Sequence, residues 1–187
     1  PVPQRDGYSC SGWWTSPNQG GYQVLGAATY TQMQDQRLYA AWSTKLYTVS
    51  FDSQGGRLTA SSTKQVRYQG TYGELPVPQR DGYFFIGWWT EPNGKDRQIF
   101  PDSKYTMMQD QKLYASWSAN TYTVSFDASE GRLTDSSTKR IPYQEVYGEL
   151  PVPQREGYSF RGWWTEPNGK DRQIFPDSKY TMMQDQK

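Results

Sequence analysis

The chain has 187 residues, with 20 basic and 19 acidic side chains, a net charge of +1, no histidine and one cysteine. So even a balance argues against a nucleic-acid partner, whose phosphates call for a clustered basic excess. With no apolar run near ~18 residues, nothing in the sequence reads as inserting into a membrane. The lack of histidine removes Ser–His and Cys–His nucleophile systems and the commonest metal ligand, and Cys10 alone makes no thiolate cluster.

The order along the chain is set by repetition. Pro1, Pro76 and Pro151 each begin the phrase Pro-Val-Pro-Gln-Arg, a constant step of 75 residues. The pairs Trp13-Trp14, Trp88-Trp89 and Trp163-Trp164 keep that step, as do Trp42 and Trp117. A fixed period of this size marks a tandem array. Residues 1–43 read as the C-terminal part of a repeat, 47–118 as a complete repeat, and 122–187 as a repeat lacking its last strand. Units this small need dense aromatic packing, and 8 Trp, 15 Tyr and 7 Phe supply it. Because the chain opens on Pro and stops within a repeat, targeting and anchoring signals are expected outside it.

Within the complete repeat, Tyr47, Val49 and Phe51 alternate with polar residues, which predicts a half-buried strand. Gly55-Gly56 follows as a turn. Its copy, Glu130-Gly131, suggests that only the second position demands positive φ. Gln65 to Gln69 alternates again, and Pro142 in the copy implies that this strand lies at a sheet edge or leaves that position's ladder bond unmade. Two prolines between Tyr72 and Gly82 leave room for a short helical turn or an extended crossover, but for no long helix. Tyr83 to Thr90 predicts a strand with a bulge at Gly87, since strict alternation would turn Trp88 into water. Pro92-Asn-Gly94 marks a turn. Residues 98–112 are polar, with Ile99 and Phe100 as expected plugs. Leu113, Ala115 and Trp117 share one side of a last strand.

These motifs resemble the Listeria–Bacteroides repeat, also called the internalin B B-repeat. The likeness rests on the F-x-x-x-G-G turn at Phe51–Gly56, Tyr72-Gly73, the P-x-R-x-G-Y-x-F-x-G-W core from Pro78 to Trp88, and L-Y-A-x-W at Leu113–Trp117. The first repeat departs at Cys10 and from Gln19 to Thr29, and the third at Glu130. The resemblance implies small β-grasp-type (ubiquitin-like) units, so the fold class is mainly β or α+β, in an elongated tandem array. It implies an extracellular or cell-surface setting in large modular, chiefly bacterial proteins, with no catalysis, no cofactor and no metal.

Structural core positions are Trp13, Trp88, Trp163, Trp42, Trp117, Phe51 and Phe126, while Trp14, Trp89 and Trp164 are the candidate contacts for a ligand or partner. An indole open on a strand is a platform for a sugar ring or an apolar side chain. Asp52, Glu74, Asp81, Asp96, Asp102 and Asp110 sit beside turns or basic residues and read as solvated surface. Arg80-Asp81 reads as a surface ion pair worth less than about 1 kcal/mol, ahead of an arginine tied to backbone carbonyls. The function expected is a semi-rigid stalk or spacer in adhesion that is also a weak multivalent interaction surface. The alternative is a carbohydrate- or protein-binding adhesin module. Expected partners are neighbouring repeats, a host surface protein or glycan, and a second copy meeting the incomplete ends.

Overall fold

A computed structural model describes residues 1–186, and period-two alternation there becomes sheet. The N-terminal strands are β1 (Tyr8–Ser16), β2 (Gly20–Val24) and β3 (Tyr39–Thr44), an antiparallel sheet of order β2-β1-β3. The next five are β4 (Leu46–Asp52), β5 (Thr63–Arg67), β6 (Tyr83–Glu91), β7 (Lys95–Ile99) and β8 (Gln111–Ala119). They form one sheet of order β5-β4-β8-β6-β7, in which β4 and β8 run parallel. The last four are β9 (Thr121–Ser125), β10 (Thr138–Pro142), β11 (Trp163–Glu166) and β12 (Lys170–Ile174), in two separate hairpins. The fold is mainly β. Among the described residues the only helical pieces are three-residue 3-10 turns at Pro17–Gln19, Pro92–Gly94 and Pro167–Gly169.

Contacts divide the chain into two compact units. One holds Pro1–Gln54, Leu58–Val77 and Gly87–Ala115; the other holds Gly55–Arg57, Pro78–Ile86 and Ser116–Lys187. The core of the first includes Val49, Phe51, Val66, Tyr72, Trp88, Ile99, Tyr105, Leu113 and Ala115, all buried. The core of the second is Val124, Phe126, Ile141, Tyr147, Ile174 and Tyr180, each 75 positions after its counterpart in the first. Phe51 meets Trp88 at 4.9 Å between centroids, and Phe126 meets Trp163 at 5.0 Å. The constant Pro-Val-Pro phrase has a hydrogen-bonding reason. Its first carbonyl accepts the indole N–H, from Trp88 to Pro76 at 2.8 Å and from Trp163 to Pro151 at 2.8 Å. A buried indole without an acceptor would forfeit that bond to water.

Several expectations meet their outcome here. β5 and β10 lie at sheet edges, and Tyr72 to Gly82 crosses over without a helix. In β1 the register against β3 slips between Cys10 and Gly12, the first-repeat counterpart of Gly87, and Trp88 is buried as the bulge requires. The glycine turn is corrected. Positive φ falls on the first position, at Gly55 (+86°) and Glu130 (+69°), not on the second. Gly56 is glycine for space, because a Cβ there would lie 2.4 Å from the Trp117 ring. Phe100 is corrected too. Alternation past buried Ile99 turns it outward, half exposed, and Tyr105 is the plug.

Tyr105 has no exposed surface and lies against Tyr47 and Tyr72, its hydroxyl donating to the Gln109 carbonyl. Tyr180 repeats this with Tyr122 and Tyr147, donating to the Gln184 carbonyl. Burial pushes both phenols up to about 12. A folded-state value above the unfolded ~10 means the neutral form stabilises the fold fully below pH ~10 and loses that contribution as pH rises towards ~12. Melting temperature should therefore fall across that window. A Tyr105→Phe, Tyr180→Phe variant, monitored by circular dichroism, should show a shallower fall.

Candidate functional site

Only Lys45 separates β3 from β4, and only Asn120 separates β8 from β9. A one-residue connector can still pivot unless its own polar groups are held, and here they are. Within the second compact unit, Asn120 N–H donates to the Gly82 carbonyl at 2.9 Å, and its carbonyl accepts from Tyr143 N–H at 2.8 Å. Within the first, Lys45 N–H donates to Gly7 O at 3.0 Å and Lys45 O accepts from Tyr68 N–H at 2.9 Å. The same joint is thus built twice from different connector residues, because only their backbones take part.

Rings close the joint. Tyr83 meets Tyr143 edge-on at 5.7 Å and 88°, and Tyr8 meets Tyr68 at 5.7 Å and 87°. Gly82, at φ +77°, must be glycine on two counts: its conformation disfavours a side chain, and a Cβ would stand 2.3 Å from the Tyr143 ring. Arg80 lies over Tyr83, its guanidinium carbon 4.0 Å from the ring centroid and 6.0 Å from that of Trp117. Trp117 in turn takes Phe85 on its ring at 5.5 Å and crowds Gly56. Arg5 repeats the stack on Tyr8 and Trp42 at 4.1 and 5.9 Å. One edge-to-face pair is worth about 0.5–1.5 kcal/mol, and a cation–π contact about 0.5–1 kcal/mol when exposed. Together with two backbone hydrogen bonds, this suffices to bias a hinge while remaining below the stability of a folded domain.

The glycine turn, the arginine, the Gly-Tyr pair and the last tryptophan therefore converge on one joint. Sequence reading isolated each of these residues yet assigned Arg80 to a surface ion pair. The structure places its guanidinium on aromatic faces. In the third repeat Arg155 stacks on Tyr158 at 3.9 Å and also meets Glu130, which stands where the second repeat has Gly55, at 2.5 Å.

Of the expected core residues, Trp88, Phe51 and Phe126 are buried, while Trp13, Trp42, Trp117 and Trp163 are half-buried. The candidate contact residues Trp14, Trp89 and Trp164 are half-buried as well. Trp89 lies across Gly87, where a Cβ would stand 3.2 Å from its ring, and Trp164 rests 3.7 Å from the Cβ position of Gly169 in the Pro-Asn-Gly turn. Trp14 keeps a shielded indole N–H without a partner. These three stand on separate hairpins, on β1, β6 and β11. Among the described residues no group of three His, Cys, Asp or Glu could hold a metal ion. Asp52 binds Lys112 at 2.7 Å, and that hydrogen bond, with a second from the Gln54 backbone, holds its carboxyl below the usual range. Asp110 and Asp185 accept the Thr48 and Thr123 amides at 2.8 and 2.7 Å, a strand-capping role that the sequence reading missed.

Sheets assembled from repeated small β units, with signature residues gathered at the joints, define a tandem-repeat class of architecture. The chain belongs to the Listeria-Bacteroides repeat domain family, whose model matches residues 47–116 and 122–186. Among similar proteins, one named as a membrane protein from Evansella cellulosilytica is 32% identical over 88% of this chain and 24% of its own length. A Gly-rich protein of the same organism, also named as a membrane protein, is 31% identical over 87% of this chain and 18% of its own. Internalin H of Listeria monocytogenes is 30% identical over 73% of this chain and 23% of its own length. The chain thus spans about a quarter or less of these relatives. No solved structure matches it, and no helix of the described residues is long and apolar enough to cross a membrane.

Gly157 offers an internal control for the joint, since it shares the positive φ (+76°) but has nothing within 4 Å of its Cβ position. Gly82→Ala should lower stability in denaturant unfolding by about 1–3 kcal/mol more than Gly157→Ala, the overpacking cost of displacing Tyr143. Equal losses would reduce the joint to backbone strain alone.

Proposed function

We propose that the chain is a non-catalytic segment of a cell-surface or secreted protein, serving as a semi-rigid stalk or spacer in adhesion. The observation that carries this reading is the joint built twice, with a one-residue connector whose N–H and C=O are both held. A spacer does its work through geometry. Held connectors keep successive repeats in a restricted relation, whereas loose linkers would let them coil back and shorten the reach. Membership of the repeat family and the names of the relatives support the surface setting. Each repeat is proposed to be a β-grasp-like unit. In its support, a complete repeat has its first strand between the second and the last, with first and last parallel.

The test measures distance distributions between labels. Spin labels placed at Gln69 and Glu145, on consecutive repeats, should give one narrow distribution by pulsed electron resonance. Tyr143→Ala should broaden it without unfolding either repeat. A distribution already broad in the unaltered chain would sink the semi-rigid reading.

The same array would present Trp14, Trp89 and Trp164 as weak, repeated contacts for a glycan or a host surface protein, where repetition raises avidity without improving any one site. Tryptophan fluorescence titrated against a glycan panel and host surface proteins checks this. Saturable quenching is expected, and it should fall several-fold in a folded Trp89→Ala, Trp164→Ala variant. Silence across the panel would leave the spacer role alone.

A further inference from the structure

Alternation gives the sheet of the complete repeat a second face. Phe51, Leu113, Trp88 and Ile99 are buried, so their chain neighbours Asp52, Tyr114, Trp89 and Gln98 point out of the core, each half-buried. These four stand abreast. Asp52 pairs with Tyr114, and Trp89 with Gln98, across neighbouring strands, and β8 lies beside β6. The first repeat shows the central step directly: Trp14 pairs with Tyr39 on one side and Gln23 on the other, 75 positions before Tyr114 and Gln98. One row therefore crosses β4, β8, β6 and β7, all of it in the first compact unit.

The Trp89 ring lies across the Gly87 bulge, and Trp164 rests 3.5 and 3.7 Å from the Cβ positions of Gly162 and Gly169. Glycine at those places lets an indole lie flat on its hairpin, one face on backbone and the other turned outward. At one end of the row Lys112 binds Asp52 at 2.7 Å, and its ammonium stands 5.1 Å over the Tyr114 ring. Each charge neutralises the other, so this end keeps a donor and an acceptor without a net charge. At the other end stands the Gln98 amide. Its counterparts are oriented by donating to the bulge carbonyls, Gln23 to Ser11 at 3.0 Å and Gln173 to Arg161 at 3.4 Å.

We propose that this row binds a neutral, linear glycan of β-1,4-linked pyranoses bearing equatorial hydroxyl or acetamido groups, lying across the strands. The inference rests on the reading of Trp14, Trp89 and Trp164 as ligand contacts, and names their ligand and its direction. Neighbouring strands stand ~4.8 Å apart, close to the length of one pyranose in an extended β-1,4 chain. Successive sugars therefore meet successive strands. One lays its C–H face on the Trp89 indole and the next reaches Tyr114, while hydroxyls at the sugar edges fall to Asp52, Lys112 and Gln98. The four strands span about 14 Å, room for about three or four sugars. An α-1,4 chain coils and would leave so flat a face after one sugar. A strand from another protein finds no unpaired backbone here, since β8 and β6 are each paired on both sides. A charged glycan gains nothing from an ion pair that is already neutral.

The test titrates the 187-residue chain with cellobiose, cellohexaose, chitohexaose and maltohexaose, followed by heteronuclear NMR. Saturable shifts are expected at the Trp89, Tyr114 and Gln98 signals and not at the buried indole of Trp88. A β-1,4 hexaose should bind more tightly than the disaccharide by roughly tenfold. The two β-linked hexaoses distinguish a glucose chain from an N-acetylglucosamine chain, and saturation by either supports the proposal. Tyr114→Leu should weaken the hexaose at the Trp89 signal by roughly fivefold and leave the disaccharide unchanged. Lys112→Met, at an exposed position, should act in the same sense and serves if Tyr114→Leu does not fold. No saturation by either β-linked hexaose up to about 10 mM, equal affinity for maltohexaose or cellobiose, or a folded variant with unchanged hexaose binding would each overturn it. Tryptophan quenching by another glycan or a host protein would then leave the broader contact reading standing, whereas silence across that panel removes both.

Discussion

The pairing of β4 with β8 is the constraint on which a complete repeat depends. It brings together strands some sixty residues apart in sequence, inserts the last strand at the centre of the sheet, and buries Leu113 and Ala115 beside Phe51 and Trp88. A central parallel pair cannot be closed by a tight turn, so everything between must form a crossover and a second hairpin. The extended stretch from Tyr72 to Gly82 and the plug at Tyr105 follow from that demand. In the third repeat, β9-β10 and β11-β12 are two separate hairpins, and Trp163 is half-buried.

Much of this was legible in the sequence, and the reasons are physical. Alternation at Tyr47–Phe51 and Leu113–Trp117 reports one wet and one dry face, so strand and orientation followed directly. Pro142 located the edge because proline lacks a ladder donor. The buried Trp88 following Gly87 argued for a bulge, since the alternative was an indole in water. What escaped were properties that depend on distant partners. Gly56 is glycine because Trp117, sixty-one residues on, occupies the space of its Cβ. Arg80 beside Asp81 looks like an ion pair locally, but its guanidinium lies over the ring of Tyr83. Tyr105 sits in a polar stretch with no period, and only the fold reveals that Tyr47 and Tyr72 converge on it.

The candidate site was legible only in parts. Several residues of the joint were singled out, as turn, arginine, Gly-Tyr pair and terminal tryptophan, yet Tyr143 was not, and nothing local says that they meet. The double tryptophans drew attention as a ligand platform, and the structure shows how much of each indole is engaged at home: Trp88 with Phe51 and the Pro76 carbonyl, Trp89 across Gly87, Trp164 against Gly169. Aromatic abundance in so small a unit serves the core and the joints before it serves any partner.

The joint also bears on how such an array can change over generations. Each complete repeat carries a glycine half facing one neighbour, at Gly82, and a tyrosine half facing the other, at Tyr68. Duplicating or deleting a whole repeat in the gene therefore creates no unfamiliar interface, since every new boundary is again glycine against tyrosine. Array length becomes a quantity that recombination can adjust in whole steps, without any compensating substitution at the surfaces newly brought together.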